Sequence, residues 1–216
     1  MGDSVKPFIT GIAGGSGSGK TTLVQHLAKM IGTDQITLLH HDSYYRDRSM
    51  LTPKERSLLN YDHPDALETT RLVEHIELLR KGKSVEVPVY DFSTHCRKST
   101  IETARPSPLI IVEGILVFAE PELVDLFDLK IFVDLDQELL LARRIKRDTA
   151  ERGRTVESSL KQYRETTGPM FLKYVQPSRG QADLVISGDR SFQSPAVELL
   201  ALGLKAIINR QRRVSR

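Results

Sequence analysis

The stretch Gly14-Gly15-Ser16-Gly17-Ser18-Gly19-Lys20-Thr21 lies directly behind an apolar run at residues 8–13 and fits the pattern G-x-x-x-x-G-K-[ST]. Apolar residues at helical spacing follow it, namely Leu23, Val24, Leu27 and Ile31. Such a glycine-rich turn lets backbone N–H groups surround phosphate oxygens, while the helix behind it offers its positive N-terminus to the same anion. A flexible Gly/Ser linker is the alternative, but linkers rarely carry Lys-Thr at this offset between a strand and a helix. The sequence therefore predicts a phosphate-binding loop.

We expect this loop to hold the phosphates of a nucleoside triphosphate through Gly14, Gly15, Ser16, Gly17, Ser18, Gly19, Lys20, Thr21 and Thr22. In loops of this pattern the lysine reaches the β- and γ-phosphates, and the Ser or Thr hydroxyl ligates Mg²⁺. Lys20 and Thr21 are therefore predicted to take these two roles.

The composition favours one globular domain in the cytoplasm. The chain has 216 residues, of which 39% are hydrophobic, and this is enough for a proper core. No apolar run approaches the roughly 18 to 20 residues that span a bilayer. Cys96 is the only cysteine, so no internal disulfide can form. The basic residues at 210–216 suggest either a nucleic-acid-binding arm or a frayed terminus; we favour the terminus and expect no nucleic-acid or membrane partner.

Strand and helix patterns alternate along the chain, which predicts an α/β fold with a parallel sheet covered on both faces. The predicted strands cover residues 8–13, 36–39, 109–112, 130–133 and 184–187. The predicted helices cover residues 21–31, 67–81, 137–151, 156–175 and 196–209, with Gly82 ending the second and Pro169 kinking or dividing the fourth. Alternating valines near Pro88 and an extended piece at residues 99–103 predict a hairpin beside the main sheet.

Acidic residues follow two of the predicted strands. Because ligands of open α/β sheets bind outside the carboxyl ends of the strands, these acids are candidate site residues. Asp42 could accept a proton from an attacking hydroxyl or hold the metal, and a solvated turn or helix-cap aspartate is the alternative. Glu113 ends an apolar run, where an unpaired acid is costly to bury, so we predict that it orients Mg²⁺; the alternative is a helix cap.

Arginines are concentrated between residues 143 and 154. Such a run is usually a solvated face, but phosphoryl transfer needs cations around the developing charge, and an arginine-bearing helix and loop can close over a site. With the phosphate loop in the same chain, we predict a lid carrying Arg147, Arg152 and Arg154.

The segment 88–95 places Tyr90 and Phe92 on the same side of an extended chain, with His95 nearby. Aromatic faces and an imidazole suit a flat heterocycle, although the segment taken alone favours an ordinary packed hairpin face. Asp62 is similarly open, because an aspartate there can cap a helix or accept hydrogen bonds from sugar hydroxyls.

Taken together, the motifs resemble those of the uridine-cytidine kinase family over nearly the whole chain. They are GGSGSGKTT at the phosphate loop, Asp42-Ser43-Tyr44-Tyr45, Tyr61-Asp62-His63-Pro64-Asp65-Ala66, Pro88-Val89-Tyr90-Asp91-Phe92, Glu113-Gly114-Ile115-Leu116, Arg143-Arg144-Ile145-Lys146-Arg147-Asp148 and Glu151-Arg152-Gly153-Arg154. The resemblance implies transfer of a phosphoryl group from ATP or GTP to the 5′-hydroxyl of uridine or cytidine, giving UMP or CMP in pyrimidine salvage. It also implies one kinase-type P-loop domain with a β-hairpin flap, an arginine-rich lid and a homotetramer. We assign this domain to residues 1–216 and expect disordered tails at 1–6 and 210–216.

The resemblance also implies residue roles. Asp42 is the base for the 5′-hydroxyl, Lys20 contacts the phosphates, and Thr21 and Glu113 lie around Mg²⁺. Arg147 and Arg152 clamp the phosphates. The nucleoside site comprises Asp62, Arg144 and Gln162 on the ribose hydroxyls, and Tyr90, Phe92, His95 and Arg154 around the pyrimidine. Tyr45 is a further substrate-binding residue of this site, without a separate role.

The segment Ser187-Gly188-Asp189-Arg190-Ser191 departs from the family, which usually has a sequence like Pro-Arg-Gly-Gly there. The donor-base contacts are therefore unassigned. Two alternatives are a P-loop kinase for another metabolite, related to phosphoribulokinase or pantothenate kinase, and a nucleotide-dependent switch or ATPase module. Against the first alternative, a sugar phosphate or pantothenate has no flat ring to stack on Tyr90 and Phe92. Against the second, the sequence lacks the guanine-binding motif Asn-Lys-x-Asp and the transporter-ATPase motif Leu-Ser-Gly-Gly.

Overall fold

A computed structural model describes residues 6–189 and 192–214, with side chains to residue 211. Five parallel strands form its main sheet, namely β1 (Phe8–Gly14), β2 (Ile36–His40), β5 (Leu109–Glu113), β6 (Leu129–Asp134) and β7 (Leu184–Ser187). Their order across the sheet is β2-β5-β1-β6-β7. The predicted parallel sheet is confirmed, and each predicted strand is present to within one residue at either end.

The predicted hairpin forms a separate antiparallel sheet from β3 (Val85–Asp91) and β4 (Cys96–Ala104). The register shifts between Pro88 and Tyr90, because proline has no N–H for the ladder.

Helices cover both faces of the main sheet, since β1 and β5 point alternate side chains into two apolar clusters. The α-helices are α1 (Lys20–Ile31), α2 (Pro53–Ser57), α3 (Thr69–Arg80), α4 (Pro121–Val124), α5 (Gln137–Glu151), α6 (Val156–Gln162), α7 (Gly168–Met170), α8 (Gln176–Ser178) and α9 (Pro195–Val214). Leu72, Ile76 and Leu79 of α3 pack on one face, and Leu23 and Leu27 of α1 pack with α9 on the other.

Two helix ends follow from local chemistry. Gly82 has φ 73° and completes the end of α3, where the N–H groups of Gly82 and Lys83 donate to the carbonyls of Leu79 and Leu78 at 3.0 Å. The start of α3 was predicted at Leu67, but Leu67 pairs with Tyr45 in an isolated bridge, so the helix begins at Thr69.

The predicted helix over residues 156–175 is divided around Pro169, as expected. Wide π turns at Tyr163–Thr167 and Phe171–Val175 flank α7. Because proline lacks an N–H and its ring crowds the preceding turn, wider turns on both sides relieve the α-helical ladder.

A disordered tail was predicted from residue 210, and the structure describes α9 as continuing to Val214. Gln211 Nε2 donates to the carbonyl of Lys6 at 3.0 Å and fastens this end of the helix to the beginning of β1. The tails at residues 1–5 and 215–216 lie outside the described residues. Within the described part of the chain, no helix combines the length and apolar character needed to cross a membrane.

Candidate active site

The phosphate loop joins β1 to α1, as expected from the predicted order of strand, glycine-rich turn and helix. Gly14, Gly17 and Gly19 have φ angles of 147°, 90° and 101°, which side chains disfavour. The Lys20 ammonium lies across the loop and donates to the carbonyls of Gly14 and Gly15, each at 3.0 Å. Burial lowers the pKa of Lys20, although the charges of Glu113 and Asp42 oppose that shift. The lysine is therefore held at the centre of the loop by neighbouring acids and carbonyls.

The end of β7 lies directly against the phosphate loop. A Cβ atom on Gly188 would come within 2.2 Å of the Ser18 carbonyl oxygen, so this position has no room for a side chain. The Gly188 N–H donates to the Asp134 carbonyl at 2.7 Å. The segment that departs from the family pattern thus packs on the loop through Gly188, while Arg190 and Ser191 lie outside the described residues.

A chain of hydrogen bonds links the first turn of α1 to the ends of β5 and β2. Thr21 Oγ1 donates to Glu113 Oε1 at 2.9 Å, and His40 Nδ1 lies 2.7 Å from the same oxygen. Burial alone would raise the pKa of Glu113, but the hydrogen bond with His40 and the charge of Lys20 outweigh it and lower this pKa. The hydrogen bond to Glu113 in turn raises the pKa of His40. Register explains the meeting, because His40 of β2 pairs with Glu113 of β5.

This donor set fits Mg²⁺. The Thr21 hydroxyl and the ionised Glu113 carboxylate lie together beside the phosphate loop. Mg²⁺ prefers one or two protein oxygens together with substrate phosphates and water. No group of three or more His, Cys, Asp or Glu side chains suited to a metal occurs among the described residues, so a cage made by the protein alone is not found there.

Asp42 lies in a 3-10 turn, His41–Tyr44, immediately after β2. Its Oδ1 atom is shielded from solvent and has no hydrogen-bond partner among the described residues. Burial raises the pKa of Asp42, and the charge of Lys20 only partly opposes this. Asp42 lines two neighbouring cavities, of about 440 Å³ and about 50 Å³, and therefore faces both.

The larger cavity, called here the donor cavity, is formed by the phosphate loop and the strand ends. Six predicted phosphate-loop residues line it: Ser16, Gly17, Gly19, Lys20, Thr21 and Thr22. Gly14 and Gly15 contribute the carbonyls that bind Lys20. Ser18 lines neither of these cavities, because its side chain is fully buried where Gly188 packs on the loop.

The smaller cavity, called here the acceptor cavity, has an aromatic wall. Tyr45 and Tyr90 have ring centroids 4.9 Å apart, and Phe92 meets Tyr90 edge-on at 5.3 Å. Tyr61 stacks on His95 at 4.3 Å with an interplanar angle of 17°. Tyr61 lines the cavity but was not predicted as a site residue, although it begins one of the motifs.

Polar side chains form the opposite side of the acceptor cavity. Gln162 Oε1 accepts from Arg144 Nη2 at 3.0 Å and also from Arg154 Nη1. Asp62 Oδ2 accepts from Thr167 Oγ1 at 2.8 Å, and Thr167 gave no sequence signal of its own. Arg154 Nη2 lies 3.2 Å from His95 Nε2.

His95 is held neutral in this environment. Burial, together with the charges of Arg154 and Arg152, lowers its pKa to about 4. Because the Arg154 guanidinium can only donate, His95 Nε2 accepts and the imidazole proton is on Nδ1.

Of the three lid arginines, Arg147 lies where the two cavities meet, and Arg152 and Arg154 line the acceptor cavity. Arg147 lines both cavities and its Nη2 donates to Ser16 Oγ at 3.1 Å. The Arg152 guanidinium lies 4.4 Å from the centre of the Phe92 ring. Arg143, for which no separate role was predicted, lines the donor cavity and donates to the Gly188 carbonyl at 2.9 Å. The described structure thus gathers every predicted catalytic, metal and nucleoside residue around two adjoining cavities.

Comparison with known proteins finds relatives that match most of the chain. Uridine kinase from Chloroflexus aurantiacus is 46% identical over 185 residues, which cover 86% of this chain and 88% of that protein. Uridine kinase from Brevibacillus brevis is 40% identical over 202 residues, covering 94% of each.

Solved structures show the same fold at low sequence identity. Phosphoribulokinase from Rhodobacter spheroides gives a TM-score of 0.62 at 18% identity, covering 89% of this chain and 76% of that one. D-glycerate 3-kinase from Cryptococcus neoformans gives 0.64 at 14% identity, covering 88% and 89%. A sequence model of the Phosphoribulokinase / Uridine kinase family matches residues 9–191, and with the two close relatives this shows that the chain belongs to that family.

Proposed function

We propose that this protein transfers the γ-phosphoryl group of ATP or GTP to the 5′-hydroxyl of uridine or cytidine. The observation that carries the proposal is the position of Asp42, which faces a donor cavity built on the phosphate loop and an acceptor cavity walled by aromatic rings. Relatives at 40–46% identity over most of the chain bear the name uridine kinase and support the same reaction.

In the proposed reaction Asp42 accepts the proton of the 5′-hydroxyl as that oxygen attacks the γ-phosphorus. The new O–P bond forms while the bond from the γ-phosphorus to the bridging oxygen breaks, and the nucleoside diphosphate leaves. Lys20, Arg147 and Arg152 offset the charge that develops on the transferred group. The raised pKa of Asp42 suits a base, because proton transfer is most effective when the pKa of the base approaches the working pH.

Thr21 and Glu113 are the residues that would hold Mg²⁺, with Asp42 as a further candidate on the same rim. When bound there, the ion would neutralise charge on the β- and γ-phosphate oxygens. His40 would keep the Glu113 carboxylate ionised and oriented through its hydrogen bond.

The acceptor cavity supplies contacts for each part of a pyrimidine ribonucleoside. We assign Tyr45, Tyr90 and Phe92 to the faces of the base, and His95 and Arg154 to its edge. The neutral His95 imidazole suits hydrogen bonding to an uncharged base. Asp62, Arg144 and Gln162 are assigned to the ribose hydroxyls. A deoxyribonucleoside would leave some of these buried polar groups without a partner, so the site should reject it.

The donor base has its own space beside the phosphate loop. A cavity of about 500 Å³ shares Gly19, Thr22 and Arg143 with the donor cavity and is also lined by Phe192. We place the base of the donor there without assigning a preference between adenine and guanine. The homotetramer and the cytoplasmic location stay predictions.

The aromatic wall also favours this function over the two alternatives. Ribulose phosphate and pantothenate have no flat ring to lie against Tyr45, Tyr90 and Phe92, and a switch protein needs no second cavity beyond Asp42. The chain shares the fold of phosphoribulokinase at 18% identity, which shows no common substrate.

The proposal is tested by measuring ADP release with ATP, Mg²⁺ and a panel of acceptors: uridine, cytidine, 2′-deoxyuridine, ribulose 5-phosphate and pantothenate. We expect turnover with uridine or cytidine. With 2′-deoxyuridine we expect a kcat/KM that is lower by a factor of about 100 or more. Turnover with a sugar phosphate or pantothenate, and none with either ribonucleoside, would overturn the proposal.

A further inference from the structure

Asp148 is a fully buried carboxylate on α5 that is surrounded by guanidinium groups. Oδ1 lies 3.0 Å from Arg147 Nη2 and 3.4 Å from Arg152 Nη1. Oδ2 lies 3.6 Å from Arg144 Nε and 3.3 Å from Arg154 Nη1. One negative charge therefore sits among four positive ones.

The two oxygens divide these arginines according to their proposed roles. The Oδ1 partners are the proposed phosphate clamp, in which Arg147 also reaches Ser16 of the phosphate loop. The Oδ2 partners, Arg144 and Arg154, both donate to Gln162 in the acceptor cavity. A rotation of this one carboxylate would change the geometry on both sides at once.

The negative charge of the carboxylate offsets the repulsion between the guanidinium groups, which a neutral side chain would not do. Guanidinium groups packed around one point repel each other, and removal of one buried partner leaves the remaining charges uncompensated. Burial also lowers the pKa of Arg152, with the nearby charge of Arg147 contributing and Asp148 opposing. Asp148 thus holds the arginines in place, although burial removes water from its own carboxylate.

The turn behind α5 does not depend on this side chain alone. The Asp148 carbonyl accepts from the backbone N–H of Arg152 at 3.2 Å and of Arg154 at 3.1 Å. A substitution that alters only the carboxylate therefore leaves the backbone bonds of the lid in place.

We propose that Asp148 is a positioning residue that couples nucleoside binding to the phosphate clamp, an inference that rests on the proposed phosphoryl transfer. A nucleoside that contacts Arg144 and Arg154 shifts the orientation of the Asp148 carboxylate. That orientation determines where Arg147 and Arg152 contact the phosphates. By linkage, a bound donor then tightens nucleoside binding by the same factor as the nucleoside tightens donor binding.

The test compares the wild type with Asp148→Asn, which keeps the shape and removes the charge, and with Glu138→Gln, which alters an exposed carboxylate on the same helix. Calorimetry gives the Kd of uridine with and without Mg²⁺ and a non-hydrolysable ATP analogue. In the wild type and in Glu138→Gln we expect the analogue to tighten uridine binding about 5-fold or more. In Asp148→Asn the ratio should approach one, and kcat should fall about 10-fold to 100-fold because the clamp is misplaced.

A coupling ratio in Asp148→Asn equal to that of the wild type, or no coupling in the wild type, would overturn the inference. If Asp148→Asn does not fold, Arg154→Gln tests the link from the acceptor side. It should lower the affinity of the uridine-bound protein for the ATP analogue, and an unchanged affinity would contradict the coupling. Turnover of uridine by the wild type reports on the proposed function separately, so that function can stand while this inference fails.

Discussion

Lowering the pH from about 7.5 to about 5 should reduce the free energy of unfolding by about 2 kcal/mol through His41 alone. His41 is fully buried, and its Nε2 lies 3.1 Å from Thr69 Oγ1. Its ring packs against Gly114, where a Cβ atom would come within 2.6 Å of the His41 Cβ. A charged imidazole would be poorly solvated in this position.

The magnitude follows from the pKa difference between the two states. Burial lowers the pKa of His41 from 6.5 to about 3 in the folded protein. Below pH 6.5 the unfolded chain binds a proton that the folded protein does not, so stability falls as the pH falls toward 3 and is unaffected above 6.5. Each pH unit in that window costs about 1.4 kcal/mol, and pH 5 lies about one and a half units below the unfolded pKa.

Urea unfolding at both pH values measures this loss in the wild type and in His41→Gln, which removes the titration and keeps an amide that can reach Thr69. Other groups titrate in both proteins, so the difference between the two losses isolates His41. We expect the loss to be about 2 kcal/mol smaller in His41→Gln. Equal losses in the two proteins would refute the reasoning, as would an NMR titration of His41 near its ordinary pKa.

Three substitutions test the site. Asp42→Asn should lower kcat about 100-fold to 10,000-fold with little change in the Kd of ATP, because it removes the proposed base and keeps the shape; a nearly unchanged kcat would exclude that role. His95→Ala should raise the KM of uridine far more than that of ATP, and equal effects on both would contradict an acceptor-side role. Gly188→Ala should raise the KM of ATP and cost about 1–3 kcal/mol of stability, because its Cβ meets Ser18 O within 2.2 Å. Gly203→Ala, where nothing lies near the added atom, is the matched control, and similar ATP KM values in the two variants would argue against contact with the loop.

Local sequence chemistry determined much of the fold and the donor half of the site. The phosphate loop is contiguous, and its glycines, lysine and threonine specify their own geometry. Glu113 and Asp42 could be placed because polar residues after parallel strands share one edge of the sheet. The acceptor residues came from the family resemblance, since spacing alone favoured packing for Tyr90 and Phe92 and left the role of Asp62 open.

The tertiary structure alone decided which distant residues meet. His40 contacts Glu113 because β2 and β5 are neighbours in register, and Gly188 packs on the phosphate loop because β7 ends beside it. Thr167 reaches Asp62 across 105 positions of sequence. Asp148 appears in the sequence as one acid in a basic run, and only folding brings four arginines around its two oxygens. Periodicity and motifs report on contacts within a few residues of the chain, whereas these contacts depend on strand order and on the return of the lid over the sheet.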